Sequence, residues 1–508
     1  LNDFIKQHRF LNLKNFATFA LAMNGNLAIT KQPKWLFYSF SALTLASIFA
    51  VVLTSQYLLL GIPAFVLLLY LTIIDFRTIF FLLLFCIPLS TEIIFPNGFG
   101  TDLPTEPLIV GLMGVFFLYI LRNGNAIDRR FFQHPITLLL LLHIGWIFIA
   151  TTQSSMTFIS IKFLLAKLWY IITFFFLAGM LLKEEKDVRK FFWCIFISLI
   201  FTVVVTLIRH APLGFTFESV YHVLHPFYRN HVTYAAIMAV FVPFVWFARY
   251  WYPTFSTKWL ILAAALVLLL IAIQLSYTRA AYAAIFFAVG GYFMIRWRLT
   301  KIAVTLATVF AISLVSYLVN DERYLALSPD YERTITHKDF NNLLEATYQL
   351  EDISTMERVY RWVAAFQMSN EKPLFGFGPG NFYTFYKGYT VTSFRTYVSD
   401  NPEQSGVHSY YLMTLVEQGY IGLIIFMIFI FFTLIYGEQI YHQTQNSSDK
   451  RIVMMALLAI LVILSLQLIN DLLETDKVGP FFFISVALLV NVDVKNRKRL
   501  NPIINQAM

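Results

Sequence analysis

Fourteen apolar stretches follow one another along the chain, at roughly 36–54, 57–75, 78–95, 107–122, 136–152, 160–182, 190–208, 233–251, 257–276, 279–296, 300–319, 408–436, 452–470 and 479–494. A helix needs about 20 apolar residues to cross a bilayer. Some runs fall short of that. The pattern predicts an all-α polytopic membrane protein with about 12–14 transmembrane helices. Residues 1–35 read as a basic cytoplasmic segment without a signal-peptide pattern. Residues 36–319 hold about eleven spans and 408–494 about three, with a cytoplasmic tail at 495–508. The one long polar interruption, 320–407, reads as a large, partly helical loop. The chain shows no internal repeat.

Composition strengthens this reading. Of 508 residues, 58% are hydrophobic and 13% charged, and mean hydropathy is +0.67. Soluble domains carry about 25% charged residues. The net charge of +9 is explained by topology. With the N-terminus inside, 24 of the 38 basic residues fall on cytoplasmic segments, and the alternation holds through every span. The positive charge then belongs to anionic membrane lipids and implies no nucleic acid. The two cysteines, Cys86 and Cys194, sit in apolar runs and suggest neither a disulfide framework nor a metal site. The same parity puts Arg229, Arg279, the 320–407 loop and His408 on the outer face, where Lys162 also enters the membrane.

The 401–436 stretch organises the candidate chemistry. On a straight helix His408, Leu412, Leu415, Gly419 and Gly422 share one stripe, with Glu417 on roughly the opposite side. Such a helix would run about 43 Å from His408 to Tyr436. That length holds the histidine out of the membrane on a rigid post, and the glycines admit a second helix. In the loop, Ser354 and Glu357 read as a capping box that opens a helix ending before Pro373. Arg358 and Arg361 lie three apart on it and can face one target. The PLFGFGPGNF run at 373–382 lacks the strand and βαβ context of a nucleotide loop, so it reads as a turn that redirects the chain.

Each cation has a plain alternative. Arg279 can be a snorkelling interfacial arginine, and Arg229 with His231 an ordinary loop pair. Lys162 can snorkel too. Lys167 lies deeper and needs an anion or a polar cavity. Asp471 and Glu474 read as a solvated helix end. No metal set or cofactor motif appears. Arginines that bind phosphate bidentately, together with one neutral histidine able to take a hydroxyl proton, suit transfer from a phosphate-activated lipid to a hydroxyl acceptor. A transporter of lipid-linked glycans is the competing class. It would commonly carry internal repeats and broken helices at the membrane midplane, and the sequence suggests neither.

HSYYLMTLVEQGYIG, at 408–422, resembles the H-[NS]-x5–7-E-x-G-x2-G signature of the O-antigen ligase and polymerase family of bacterial inner-membrane glycosyltransferases. MERVYRWVAAFQMSNEKPLFGFGPGNF, LSYTRAAYAA and RNHVTYAA match in the family's order, so the likeness covers about 225–436. Ala280 and Ala281 after the arginine, and a span count nearer fourteen than twelve, depart from the pattern. The resemblance implies a metal-independent, inverting, GT-C-like glycosyltransferase of the bacterial inner membrane. Its donor is an undecaprenyl-pyrophosphate-linked glycan. A ligase passes the glycan to lipid A–core, a polymerase to another lipid-linked repeat unit, and a third branch to protein hydroxyls. Carried over, His408 is the general base, Arg229 and Arg279 hold the pyrophosphate, and Arg358 closes over the site, with Lys162 as a further phosphate contact. Glu417, Gly419 and Gly422 are supporting residues, Glu417 as a partner for a buried cation or polar backbone.

Overall fold

The structure is a computed structural model. It describes residues 34–54, 59, 61–94, 100–122, 128–320, 323–324, 353–391, 394–395, 399–401 and 405–500. The basic segment 1–33, most of the polar loop before 353, the Ser354 side chain of the expected capping box and the end of the tail lie outside the described residues.

All fourteen apolar runs form helices. They are α1 (Lys34–Thr54), α2 (Gly61–Ile74), α3 (Phe76–Cys86), α4 (Thr105–Arg122), α5 (Pro135–Thr152), α6 (Thr157–Ile171), α7 (Glu185–His210), α9 (His231–Ala248), α10 (Thr257–Gln274), α11 (Arg279–Arg296), α12 (Thr300–Val319), α14 (Tyr410–Gln443), α15 (Ser447–Leu466) and α16 (Gly479–Leu500). Among the further helices between spans are α8 (Phe217–Leu224) and α13 (Ile353–Glu371). Nine helical stretches among the described residues are long and apolar enough to cross a membrane, which defines an all-α polytopic membrane protein. The sole sheet described is a short antiparallel hairpin of β1 (Thr91–Ile94) and β2 (Gly100–Leu103). Contacts divide the chain into two units, 1–84 with 104–127 and 85–103 with 128–508. Glu92, Asp102, Arg229, Arg279 and His408 all belong to the second.

Local sequence sets the helix starts. Asn230 caps α9 by accepting from the Thr233 amide at 2.8 Å, and Asn446 caps α15 through the Ser448 and Asp449 amides. Pro135 occupies the first position of α5, where its missing N–H costs nothing. After Ile171, α6 widens into a π-helical run, Ile172–Leu177, before Ala178–Leu181 finishes the span. α15 packs on α9, α11 and α16, and α9 and α16 are mostly buried.

α14 departs from the sequence expectation. His408 is not on the helix, which begins at Tyr410. Gly419 breaks the helix with φ +71° and ψ −179°, so the straight post and its single stripe do not exist. The break, at the tenth residue of an apolar helix, frees backbone groups, and each must find a partner. The glycine-rich turn after α13 supplies them. Phe377 N donates to Val416 O at 2.9 Å, Gly378 N to Glu417 O at 3.0 Å, and Tyr420 N to Pro373 O at 2.8 Å. The Trp146 indole closes the set on Gln418 O at 2.9 Å.

Gly376 and Gly419 are needed here for two reasons. Both have positive φ, and a Cβ on either would lie 2.4 or 2.2 Å from a carbonyl oxygen across the junction. Gly422 does admit a neighbour, since a Cβ there would meet the Trp146 indole nitrogen of α5 at 2.9 Å. The PLFGFGPGNF turn therefore redirects the chain and also plugs the broken helix. The absence of broken helices no longer weighs against a transporter.

Candidate functional site

The site is built where the segment before α14 meets α13 and the loop between α15 and α16. His408 adopts φ +55°, uncommon for a residue with a side chain. Its neighbours fix it from both sides. The Tyr410 amide donates to Gln467 O and Asn470 O, at 3.0 and 3.1 Å. On the other side, Arg361 Nη1 donates to Gly406 O at 3.4 Å, and a Cβ on Gly406 would lie 2.2 Å from Asp471 Oδ2. Gly406 is thus sandwiched between an arginine and a carboxylate, two residues before the histidine.

Arg358 and Arg361 point to the same place. Arg358 Nε donates to Ile469 O at 3.3 Å, and Arg361, 6% exposed, also bonds Glu357. Glu357 in turn accepts from Ser399 at 2.6 Å. Burial, then the charges of Arg358 and of Arg361, lower the His408 pKa to about 3. The half-buried imidazole is therefore neutral at any working pH. Among the described residues neither ring nitrogen takes a hydrogen bond. The same loop brings Asp471 between the arginines and Glu474, and burial raises its pKa despite them.

Asp471 and Glu474 are not the solvated helix end that the sequence suggested. α15 stops at Leu466, and the acids sit half-buried in the loop beyond it. Glu474 accepts from Lys167 and, at 2.8 Å, from the Tyr410 hydroxyl; Lys167 also donates to Tyr410 at 2.8 Å. The deep lysine has found its anion. Lys162, by contrast, stands exposed with its ammonium 5.4 Å from the Phe158 ring centre. Among the described residues no bond joins it to the histidine group.

Glu417 is buried, and its Oε1 accepts from the Phe382 amide at 3.2 Å, tying the glycine-rich turn to α14; its Oε2 has no partner among the described residues.

A second cluster forms around the hairpin. Arg229 Nε lies 2.8 Å from Glu92 Oε2, and its Nη2 lies 3.3 Å from Asp102 Oδ2. Buried Lys477 donates to Ile87 O at 2.7 Å and to Ser90 O at 2.8 Å, with Asp476 at 3.5 Å. Sequence reasoning missed this lysine, because a cradle of carbonyls leaves no mark in the pattern of side chains. Arg279 is the first residue of α11, half-buried. Thr278 just before it donates to His231 O at 3.3 Å, which ties Arg279 to the start of α9, two residues after Arg229. Residues 467–478 touch both clusters. Among the described residues no three His, Cys, Asp or Glu side chains converge as a metal would require.

These features define a multi-pass membrane protein in which arginines, lysines and carboxylates gather near one histidine at one end of its helices. Residues 264–427 match the family model described as O-antigen ligase, and this match supports the O-antigen ligase family for the chain. The matched stretch runs through Arg279, Arg358, the glycine-rich turn, His408 and the break in α14. That family implies a membrane glycosyltransferase-like enzyme with lipid-linked glycan donors and glycan acceptors. The comparison with curated proteins finds no match.

Proposed function

We propose that this protein moves a glycan from undecaprenyl pyrophosphate to a hydroxyl of lipid A–core on the periplasmic face of the bacterial inner membrane. The carrying observation is the neutral imidazole of His408, unbonded among the described residues and close enough to Arg358 and Arg361 to feel their charge. The acceptor hydroxyl attacks the anomeric carbon and gives its proton to His408. The bond from that carbon to the pyrophosphate oxygen breaks, and the leaving charge rests on arginines, with Arg229 and Arg279 holding the same group. Inversion follows from a single displacement. Lys162, exposed beside Phe158, has no part in this reading.

The arginines give the donor a second task. A base whose pKa is held near 3 takes protons poorly. A pyrophosphate bound to Arg358 and Arg361 offsets their charge and raises the imidazole toward its ordinary value. The base then strengthens once the donor is in place.

The broken α14 keeps the transporter reading in view, since transporters bind cargo at such breaks. Here the glycine-rich turn and Trp146 occupy the groups freed on both sides, which favours bond-making chemistry elsewhere. The test is transfer by purified protein from lipid-linked glycan to lipid A–core. Transfer with release of undecaprenyl pyrophosphate is expected, and movement of intact donor across vesicles without release would overturn the proposal. Gene deletion separates the branches. Loss of lipid A-attached glycan with accumulating lipid-linked polymer indicates a ligase, and a single-repeat ladder a polymerase.

A further inference from the structure

We propose that Glu92 and Asp102 are a built-in anion that holds Arg229 until the donor's pyrophosphate takes their place, and that this exchange sets which anions Arg229 accepts. The inference rests on the donor-binding role proposed for Arg229. The hairpin register pairs Glu92 directly with Asp102. Like charges facing across two strands destabilise a hairpin. Arg229 relieves the repulsion by reaching one carboxylate with Nε and the other with Nη2. The same planar fork receives two oxygens of a phosphate.

Exposure decides that this contact can be exchanged. The Arg229 side chain is 60% exposed and Glu92 30% exposed. Ion pairs that wet are weak and screened. Lys477 is the contrast, 5% exposed and gripped by two carbonyls and the Ser90 hydroxyl. That charge stays where it is. It also acts on Asp102, which is 10% exposed. When Arg229 turns to a ligand, Asp102 keeps compensation from Lys477, and Glu92 is the group released. A ligand with one charge replaces two carboxylates poorly, whereas a pyrophosphate diester brings two charges and matches them. The hairpin thereby favours lipid pyrophosphates over monoanionic phosphodiesters.

The experiment measures binding of inorganic pyrophosphate and of dimethyl phosphate, a monoanion, to the full chain in detergent. Glu92→Gln keeps the side-chain shape and removes the charge. It should tighten pyrophosphate roughly fivefold or more, within the usual range of coupling between sites. It should also narrow the preference over dimethyl phosphate. Asp102→Asn should do the same to a smaller degree, because Lys477 remains. In an Arg229→Gln background the gain from Glu92→Gln should vanish. A gain that persists there is only a general change of field and overturns the proposal, as does unchanged or weaker binding in both hairpin variants. If Arg229→Gln leaves pyrophosphate binding intact, the donor role of Arg229 itself is wrong and this inference falls with it.

Discussion

Two histidines, His134 and His408, each stand just before a long helix, and the structure treats them oppositely. His134 caps α5. Its Nδ1 accepts from the Ile136 amide at 3.2 Å, and its Nε2 lies 3.0 Å from Asp493 Oδ2. Asp493 also receives the Tyr436 hydroxyl at 3.2 Å and Arg497 at 2.8 Å. Around it the basic residues of α16 pair off, Lys495 and Arg499 with Asp449, and Lys498 with Asp128. At that end of the helices both ring nitrogens are committed, and the nearby carboxylates meet cations.

At the other end backbone carbonyls take hydrogen bonds from Arg358 and Arg361, and the His408 ring is left without one among the described residues. A histidine fully bonded on both nitrogens is a strut. One held in place by its backbone, with its ring unbonded, is available for chemistry.

The largest test of this contrast removes the His408 ring. His408→Ala should leave abundance unchanged and cut transfer by about 10²–10⁴-fold, the usual cost of losing a general base. Activity of the purified variant within a few-fold of the parent would erase the distinction. The second test attacks the framework that holds His408. Gly419→Ala would force a Cβ onto Leu374 O and strain a positive φ. It should cost roughly 1–3 kcal/mol in backbone strain alone, read as a lower midpoint of thermal unfolding in detergent. An unchanged midpoint would mean that the turn and the helix are not bonded across the break.

Much of this framework was legible. All fourteen apolar runs became helices because hydropathy dominates membrane folding. The resemblance at 408–422 drew attention to the start of α14, where the break lies. The break was hidden, because apolar residues continue on both sides of Gly419 and a pattern of hydrophobicity does not register φ. The hint lay in two separate glycine sets, at 376–380 and 419–422, which only the fold brings together. The pairing of Glu474 with Lys167 was half visible, as a deep lysine in want of an anion. The hairpin carboxylates on Arg229 were not visible, since 127 residues separate Arg229 from Asp102.

A smaller effect is expected at the strut. His134→Ala leaves Asp493 with the Tyr436 and Arg497 contacts but removes a buried charge-assisted bond and a cap. The loss should be about 1–3 kcal/mol of stability, with kcat and the donor KM unchanged in the surviving folded protein. A change in kcat with stability intact would show that the two ends are coupled.

The finest test is the response to pH. The His408 pKa is lowered to about 3, by burial first and then by Arg358 and Arg361. Its unfolded value is about 6.5. Because the folded pKa is the lower one, the folded imidazole stays neutral as pH falls through 6.5. Stability from this group is present above about 6.5 and is lost progressively between 6.5 and 3. The free-enzyme profile, kcat/KM, should therefore run flat through pH 6.5. The kcat profile reports the donor complex, and its acid limb should lie higher, because bound pyrophosphate offsets the arginines. Arg361→Gln removes one of the two repelling charges and should raise the kcat/KM limb as well. Glu357 and Asp471, which share the arginines, remain in place in that variant. An acid limb near 6.5 in kcat/KM of the parent would mean that His408 titrates like a solvent-exposed ring, and its contrast with His134 would then rest on hydrogen bonding alone.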